Sequence, residues 1–207
     1  MDSETQRKIY LKIQELLAFF HRRETNCHIH LMSFLNKKAS LSDKRALRER
    51  LIYQIRSHKN YKSAGYNWKE LLKLKTKPLL PLASISISYC RYLGVFVIVF
   101  DKKVSIGFDI EHKSRVTSQI AQRISSHKAL NQSPHPALLW VAKEASVKSL
   151  SAPNQPVLFK NCILSNWRPA LSSQNYFFDF FVNSSRKYKG IAGFLDGLAI
   201  AYTEKLC

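Results

Sequence analysis

Acidic residues are scarce in this sequence. Its 207 residues include 14 Asp and Glu against 33 Lys and Arg, and the formal net charge at pH 7 is +19. An excess of this size produces a positive field that attracts anions, so nucleic acid is the generic partner to consider. A polyphosphate nucleotide or an acidic protein would suit the same field, and charge alone does not choose among the three.

Long hydrophobic runs are also missing. The longest, Val95 to Phe100, is far shorter than the roughly 20 residues that a membrane-spanning helix needs, and it indicates a buried strand. The polar, acidic start at residues 1–4 lacks the basic and apolar regions of a secretory signal. We therefore expect a cytoplasmic protein that does not bind membranes.

The cysteines have no Cys-x-x-Cys spacing, so the sequence predicts reduced thiols and neither a disulfide framework nor a zinc site. The four are Cys27, Cys90, Cys162 and Cys207. Next to the first of them, His28 and His30 alternate and would share one strand face. No second pair of ligands accompanies the two histidines, so we do not expect a metal ion there.

Two stretches carry residue types suited to chemistry. The first, Val104 to Glu111, alternates like a strand, and Asp109 and Glu111 are predicted to lie on one face of it. The second, Leu138 to Lys148, has the composition of a helix. Four-residue spacing places three of its side chains on one stripe, namely Trp140, Glu144 and Lys148.

Three carboxylates, those of Asp109, Glu111 and Glu144, are thereby predicted to meet around a hard cation. Mg²⁺ prefers oxygen ligands, keeps several of its waters and suits a site shared with a phosphate substrate. Either stretch alone is typical of a solvated strand end or of an ordinary helix face. Their occurrence together, in this order, favours one shared site.

The two stretches resemble the signature of the 4'-phosphopantetheinyl transferase superfamily, a Gly-x-Asp-x-Glu strand followed by a Trp-x-x-Lys-Glu-x-x-x-Lys helix. Every fixed position of that signature is present: Gly107, Asp109, Glu111, Trp140, Lys143, Glu144 and Lys148. Two upstream segments resemble the family in the expected order, Lys77-Pro78 and Ser86-Ile87-Ser88-Tyr89-Cys90. The resemblance covers about residues 40–165.

The resemblance implies an α+β fold of two similar α/β halves, related by a pseudo-twofold axis, with the active site between them. We place the boundary at residues 101 and 102, so that 1–101 carry an amphipathic helix, a basic helix and the first strands. Residues 102–207 then carry the carboxylate strand and the Lys-Glu helix. Periodicity by itself predicts an α+β fold and no finer architecture.

The activity implied is that of a holo-(acyl carrier protein) synthase: transfer of the 4'-phosphopantetheine arm of coenzyme A to a serine of an acidic apo carrier protein. Adenosine 3',5'-bisphosphate is released, and the cofactor is Mg²⁺, with Mn²⁺ as a substitute. The sequence does not distinguish fatty-acid, polyketide and peptide-synthetase carriers.

The resemblance also assigns roles to individual residues. Asp109, Glu111 and Glu144 are the implied metal ligands, and Glu144 and Lys148 the implied catalytic residues. The serine proton goes to Glu144 or to a water on the metal ion, and both routes are open. The implied contacts to coenzyme A are Arg45, Lys77, Ser88 and Lys143.

Two departures from the family pattern leave alternatives open. Tyr89 stands where the family has a histidine that helps to hold the coenzyme A phosphates, and residues 151–156 replace a glycine-rich turn. One alternative is a family member that binds coenzyme A or a carrier without transferring. The other is a nucleic-acid-binding protein, but aromatic residues lie mainly in apolar runs such as 176–178, which favours a core, so nucleic acid is not expected.

Periodicity and capping residues predict the remaining elements. A helix over 3–23 would be capped by Ser3, and a second helix from Leu41 by Ser42 or Asp43. Further helices are expected over 67–74 and 114–126, followed by a polar loop over 127–136. Strands are expected over 28–35, 85–89, 92–100, 104–111, 157–165, 176–182, 188–194 and 198–203.

Overall fold

The computed structural model of the chain describes residues 2–20, 27–34, 40–57, 83–101, 103–150, 159, 161–170, 174–182 and 187–206. Within these residues the helices are α1 (Ser3–Ala18), α2 (Leu41–Ser57), α3 (Ser118–Gln122), α4 (His127–Gln132) and α5 (Pro136–Leu150), with a 3-10 turn at Lys113–Arg115. The strands are β1 (Cys27–Ser33), β2 (Ser84–Cys90), β3 (Leu93–Val99), β4 (Val104–His112), β5 (Cys162–Pro169), β6 (Asn175–Val182), β7 (Tyr188–Leu195) and β8 (Leu198–Leu206). The helix predicted over 67–74 lies outside the described residues.

The strands form two antiparallel sheets. One has the order β1-β3-β2 and the other the order β4-β8-β7-β6-β5. Sheets combined with helices confirm the predicted α+β class. The change from one sheet to the other falls between β3 and β4, where we placed the boundary between two halves. That division itself stays a prediction.

Serine hydroxyls join the two sheets along the edge between β2 and β4. Each serine oxygen accepts a hydrogen bond from the backbone N–H that lies 22 residues further along the chain, so the two strands run side by side in the same direction. The bonds are Ile106 to Ser84 (2.8 Å), Phe108 to Ser86 (2.8 Å) and Ile110 to Ser88 (3.3 Å). The backbone N–H groups of β4 are thus satisfied by serine hydroxyl oxygens, whereas in an ordinary β-ladder they are satisfied by backbone carbonyl oxygens.

Helix α1 covers one face of both sheets. Its buried stripe, which includes Ile9 and Ile13, belongs to one core with Val97 of the first sheet and with Phe108 and Tyr202 of the second. The stripe follows from apolar residues at four-residue spacing, as the sequence predicts. Because one helix packs on both sheets, their common face is closed by a single hydrophobic layer.

The opposite face carries α2 over the first sheet and α5 over the second. Leu47 and Leu51 of α2 pack with Phe96 of β3, whose neighbours Val95 and Val97 point to the α1 side. Helix α5 packs through small residues on the second sheet, with Ala142 and Ala145 beside Ala199 and Ala201. The edge between β2 and β4 therefore lies between α2 and α5, and residues on this face of β4 point into that space.

Several predicted helix boundaries are wrong, because short polar side chains begin new helices. Thr117 accepts a hydrogen bond from Ile120 N and starts α3, so the single helix expected over 114–126 does not form. Ser126 caps α4 in the same way, where a polar loop was expected. At α1 the cap is Asp2 rather than Ser3.

At α2, Ser40 and Asp43 cap reciprocally, with Ser40 N donating to Asp43 and Asp43 N to Ser40. The predicted cap at Ser42 or Asp43 was therefore two or three residues too late. No helix in the described part of the chain is long and apolar enough to cross a membrane.

Gly107 sets the distance between β4 and α5. A Cβ atom at this position would lie 1.7 Å from the carbonyl oxygen of Ala145 and 2.8 Å from Ser149 N, so only glycine allows the strand to touch the helix backbone. The Thr203 hydroxyl lies 3.0 Å from the Ala145 oxygen and donates to it. The Ser105 hydroxyl donates to Ser149 O at 2.6 Å. These contacts fix the helix over the strand.

We predict that Gly107→Ala lowers the free energy of unfolding by about 3 kcal/mol or more, because a methyl group would displace rigid backbone. Urea unfolding measures the loss. Gly197→Ala is the matched control: its Cβ would meet nothing closer than 3.8 Å, but φ is +80°, so the expected loss is about 1 kcal/mol. Equal losses in the two variants would contradict the contact between β4 and α5.

Candidate active site

Asp109 lies on the face of β4 that α5 covers and is 6% exposed. Its Oδ1 atom accepts hydrogen bonds from the Ser88 hydroxyl at 2.7 Å and from Lys148 Nζ at 2.6 Å. Lys148 Nζ also donates to Phe108 O at 3.2 Å. Residues of β2, β4 and α5 therefore meet at one carboxylate, and the pairing of Asp109 with Lys148 is buried enough for screening by solvent to be weak.

Glu111 lies on the same face of β4 as Asp109, two residues further along. Its carboxylate pairs with Arg115 at 3.0 Å and accepts hydrogen bonds from His112 N at 2.7 Å and from Cys90 Sγ at 3.4 Å. Burial, followed by the charge of Glu111, raises the pKa of the Cys90 thiol to about 12. Cys90 is therefore a neutral donor to the carboxylate and not a nucleophile.

Glu144 lies one helical turn before Lys148 and completes the group of carboxylates. Burial raises its pKa to about 7, with further increases from the charges of Asp109 and Glu111, while Lys148 acts in the opposite direction. Among the described residues it has no hydrogen bond or ion pair. Its oxygens can thus accept a ligand or a proton near neutral pH.

The chemistry of these three carboxylates fits a hard cation, since they repel one another and one of them has its acceptor capacity unused. The three carboxylates do not form a complete set of metal ligands, however. No three His, Cys, Asp or Glu side chains of the described residues are grouped so that they could hold a metal ion. Lys148 and Arg115 supply the positive charge instead, at Asp109 and Glu111 respectively. The assignment of the three as metal ligands stays a prediction.

Two of the other predicted site residues, Lys143 and Arg45, make their contacts away from the carboxylates. Lys143 is 4% exposed and donates to the Ile124 carbonyl and to Ser125, so it fastens the turn between α3 and α4. Burial lowers its pKa. Arg45 has a 66% exposed side chain and pairs with Glu49 on the surface of α2. Lys77 lies outside the described residues.

Two cationic residues near Tyr89, Arg48 and Lys44, were not assigned a role from the sequence. Arg48 of α2, the helix that the sequence analysis calls basic, is only 5% exposed. It lies beside Tyr89, and the ammonium group of Lys44 is 5.4 Å from the centre of the Tyr89 ring. Arg48 lies four residues before the buried Ile52, and this helical spacing indicates that Arg48 also faces inward.

Comparison with known proteins gives no further assignment. The sequence matches no family model, and the search against curated proteins also finds no match. The likeness to the phosphopantetheinyl transferases therefore stays an expectation from the motif residues of the sequence.

We predict that Glu144→Gln stabilises the protein at high pH when a chelator is present. The pKa of Glu144 is about 7 in the folded state, against 4.5 for an ordinary glutamate, so between these pH values the native protein binds a proton that the unfolded chain does not. The stability that protonation contributes is complete below pH 4.5 and is lost as the pH rises through 7. An uncharged amide avoids this loss.

Urea unfolding at pH 5 and pH 8 measures the effect. The advantage of Glu144→Gln over the wild type should grow by about 2 kcal/mol between these pH values. Glu49→Gln removes an exposed carboxylate from α2 and should show no such growth. A constant difference between Glu144→Gln and the wild type would contradict a raised pKa at this site.

Proposed function

We propose that this protein transfers the 4'-phosphopantetheine group of coenzyme A to a serine of an apo carrier protein, in the cytoplasm and with Mg²⁺ as cofactor. The single observation that carries the proposal is the meeting of Ser88, Asp109 and Lys148, with Glu144 one turn away. These residues come from three separate motifs of the family pattern. Motifs that matched by chance would have no reason to converge on one carboxylate.

The sheet topology supports the two similar halves that the family pattern implies. In the first sheet, β1 is followed by α2 and by the hairpin β2–β3, with the strand order β1-β3-β2. In the second, β4 is followed by α5 and later by the hairpin β7–β8, with the order β4-β8-β7. The strand, helix and hairpin thus occur twice with the same pairing. The proposed site lies where β2 of one unit meets β4 of the other.

The proposed reaction is a phosphoryl transfer. The serine oxygen of the carrier forms a bond to the β-phosphorus of coenzyme A, and the bond from that phosphorus to the oxygen of the leaving adenosine 3',5'-bisphosphate breaks. A divalent cation, when bound, would neutralise charge on the diphosphate. Asp109, Glu111 and Glu144 are the residues that would hold it.

The protein side chains supply positioning and charge. Lys148, held over β4 by the close approach at Gly107, stabilises the negative charge that passes to the leaving phosphate. Glu144, with a pKa of about 7, is matched to accept the serine proton near neutral pH. Lys143 holds the turn before α4 through its hydrogen bonds and does not contact coenzyme A in this proposal. The net charge of +19 favours an acidic carrier.

We predict a mass gain of one phosphopantetheine unit when an apo carrier protein is incubated with this protein, coenzyme A and Mg²⁺. Intact mass spectrometry measures the gain. Lys148→Met should slow transfer by about 100- to 1000-fold, because the charge that stabilises the leaving group is lost. Asp109→Asn and Glu144→Gln should abolish it.

Glu4→Gln is the matched control, since it removes an exposed carboxylate from α1 and should leave the rate unchanged. Carriers of fatty-acid, polyketide and peptide-synthetase type are offered in parallel. Absence of modification on all three would contradict the proposed activity. Full activity of folded Glu144→Gln would remove the role assigned to the carboxylates.

A further inference from the structure

A histidine caps the N-terminus of α5. Prolines flank His135 on both sides, and Pro136 is the first residue of the helix. A proline has no N–H group and keeps the residue before it extended, so this arrangement fixes where the helix begins. The carbonyl oxygen of His135 accepts from Leu139 N at 3.0 Å. His135 is therefore the N-cap of the helix that carries Glu144 and Lys148.

The imidazole ring of His135 makes the capping contact. Its Nδ1 atom accepts a hydrogen bond from Ala137 N at 3.0 Å. Ala137 is 0% exposed, and an N–H group in the first turn has no partner within the helix, so this contact satisfies a buried donor. A ring nitrogen accepts a hydrogen bond only while it carries no proton. The cap therefore exists only for the neutral imidazole.

The surroundings of His135 disfavour its charged form. Its ring lies perpendicular to that of Phe194 of β7, with centroids 5.1 Å apart, and Lys113 Nζ lies 5.0 Å from the centre of the same phenylalanine ring. Burial, followed by the charge of Lys113, lowers the pKa of His135. Within the described residues, Lys113 of the 3-10 turn is the one charged group that acts on the imidazole. A proton on Nδ1 would set a second donor against Ala137 N, beside the positive end of the helix dipole.

Helix α5 is held at two places. One is the cap at His135, and the other is the contact of Gly107 with the helix backbone at Ala145 and Ser149. Glu144 lies between the two, one residue before the contact with Gly107. Loss of the cap would leave the second anchor alone and free the N-terminal part of the helix to move about it.

We propose that His135 is a positioning residue: its neutral imidazole holds the first turn of α5, and its protonation in acid releases that turn and lets Glu144 shift. The roles of Glu144 and Lys148 in this inference rest on the proposed function. The cap itself rests only on the contacts of His135. The inference therefore adds a pH-dependent control of the proposed site.

The direction of the pH effect follows from the lowered pKa of His135. In the unfolded chain an imidazole has a pKa of about 6.5, so it binds a proton there at a higher pH than in the folded protein. The stability that the neutral cap contributes is complete above about pH 6.5 and is lost as the pH falls through the pKa of the folded state. Glu144 acts in the opposite direction, because its raised pKa makes the protein more stable in acid.

Urea unfolding of the full chain at pH 8 and pH 5, with a chelator present, tests the cap. Asparagine accepts a hydrogen bond at both pH values, so His135→Asn should match the wild type at pH 8 and exceed it at pH 5. We expect the ratio of their folding equilibrium constants to grow by about 3- to 30-fold, the range for a lost helix cap. His135→Ala has no cap at either pH, so it should be less stable than the wild type at pH 8 and approach it at pH 5.

His127→Asn is the matched control for the unfolding measurements. It removes an exposed histidine from α4, which Ser126 caps, and its ratio to the wild type should be the same at both pH values. His135→Ser, a second neutral cap, decides the matter if His135→Asn does not fold. A ratio for the capped variant that stays constant between pH 8 and pH 5 would overturn the inference.

The rate of carrier modification separates positioning from stability alone. Between pH 8 and pH 5.5, without urea and with the fold verified by circular dichroism, kcat of the wild type should fall at least about threefold further than kcat of His135→Asn. A cap that only stabilises the fold would leave the ratio of the two kcat values unchanged. That result would remove the positioning role.

Hydrogen exchange of the α5 amides keeps the test independent of transfer. Exchange at Ala137 and Leu139, corrected for the intrinsic rate at each pH, should accelerate in acid in the wild type and not in His135→Asn. If this difference is found but no carrier is modified, the cap stands and the transferase proposal falls. If carriers are modified and His135→Asn behaves like the wild type in exchange and in kcat, only the inference on His135 falls.

Discussion

The approach of β4 to α5 at Gly107 determines the geometry of the site. With no side chain at this position, the strand reaches the carbonyl oxygen of Ala145, and Lys148 is brought to Asp109 at 2.6 Å. A larger residue would push the helix outward. Glu144 and Lys148 would then both move away from β4, because both project from the same face of the helix. A glycine is thus needed at position 107 to place Glu144 and Lys148, the two residues of α5 to which the sequence analysis assigns catalytic roles.

The row of serines on β2 is the second constraint. By accepting from alternate N–H groups of β4, it holds two sheets edge to edge and directs Ser88 onto Asp109. Because side chains alternate along a strand, the next residue, Tyr89, then points towards α2. The position of one serine row therefore decides both which residue supports the central carboxylate and which one faces the basic helix.

The sequence predicts the elements of the site better than their contacts. Alternation locates β2 and β4, a continuous apolar run locates β3, and four-residue spacing locates α5, because each of these signals is local. The pairing of serine hydroxyls with a backbone 22 residues away depends on which sheet edges meet, and no local pattern encodes it. The helix expected over 114–126 was wrong for a local reason, the capping by Thr117, which the residue types could have indicated. Arg48, on the basic helix, was assigned no role, although its spacing to the buried Ile52 places it inside.

The carboxylates are held at an electrostatic cost to the fold. Burial, followed by the charges of Asp109 and Glu111, raises the pKa of Glu144, and Lys148 and Arg115 offset part of the repulsion among the carboxylates. A site under such repulsion is expected to bind a divalent cation, which would relieve the repulsion.

Titration with Mn²⁺, followed by the paramagnetic resonance signal of the free ion, measures cation binding most directly. The account predicts one Mn²⁺ bound per chain, weakened at least about tenfold in Asp109→Asn and in Glu144→Gln and unchanged in Glu49→Gln. Wild-type affinity in both site variants would contradict it.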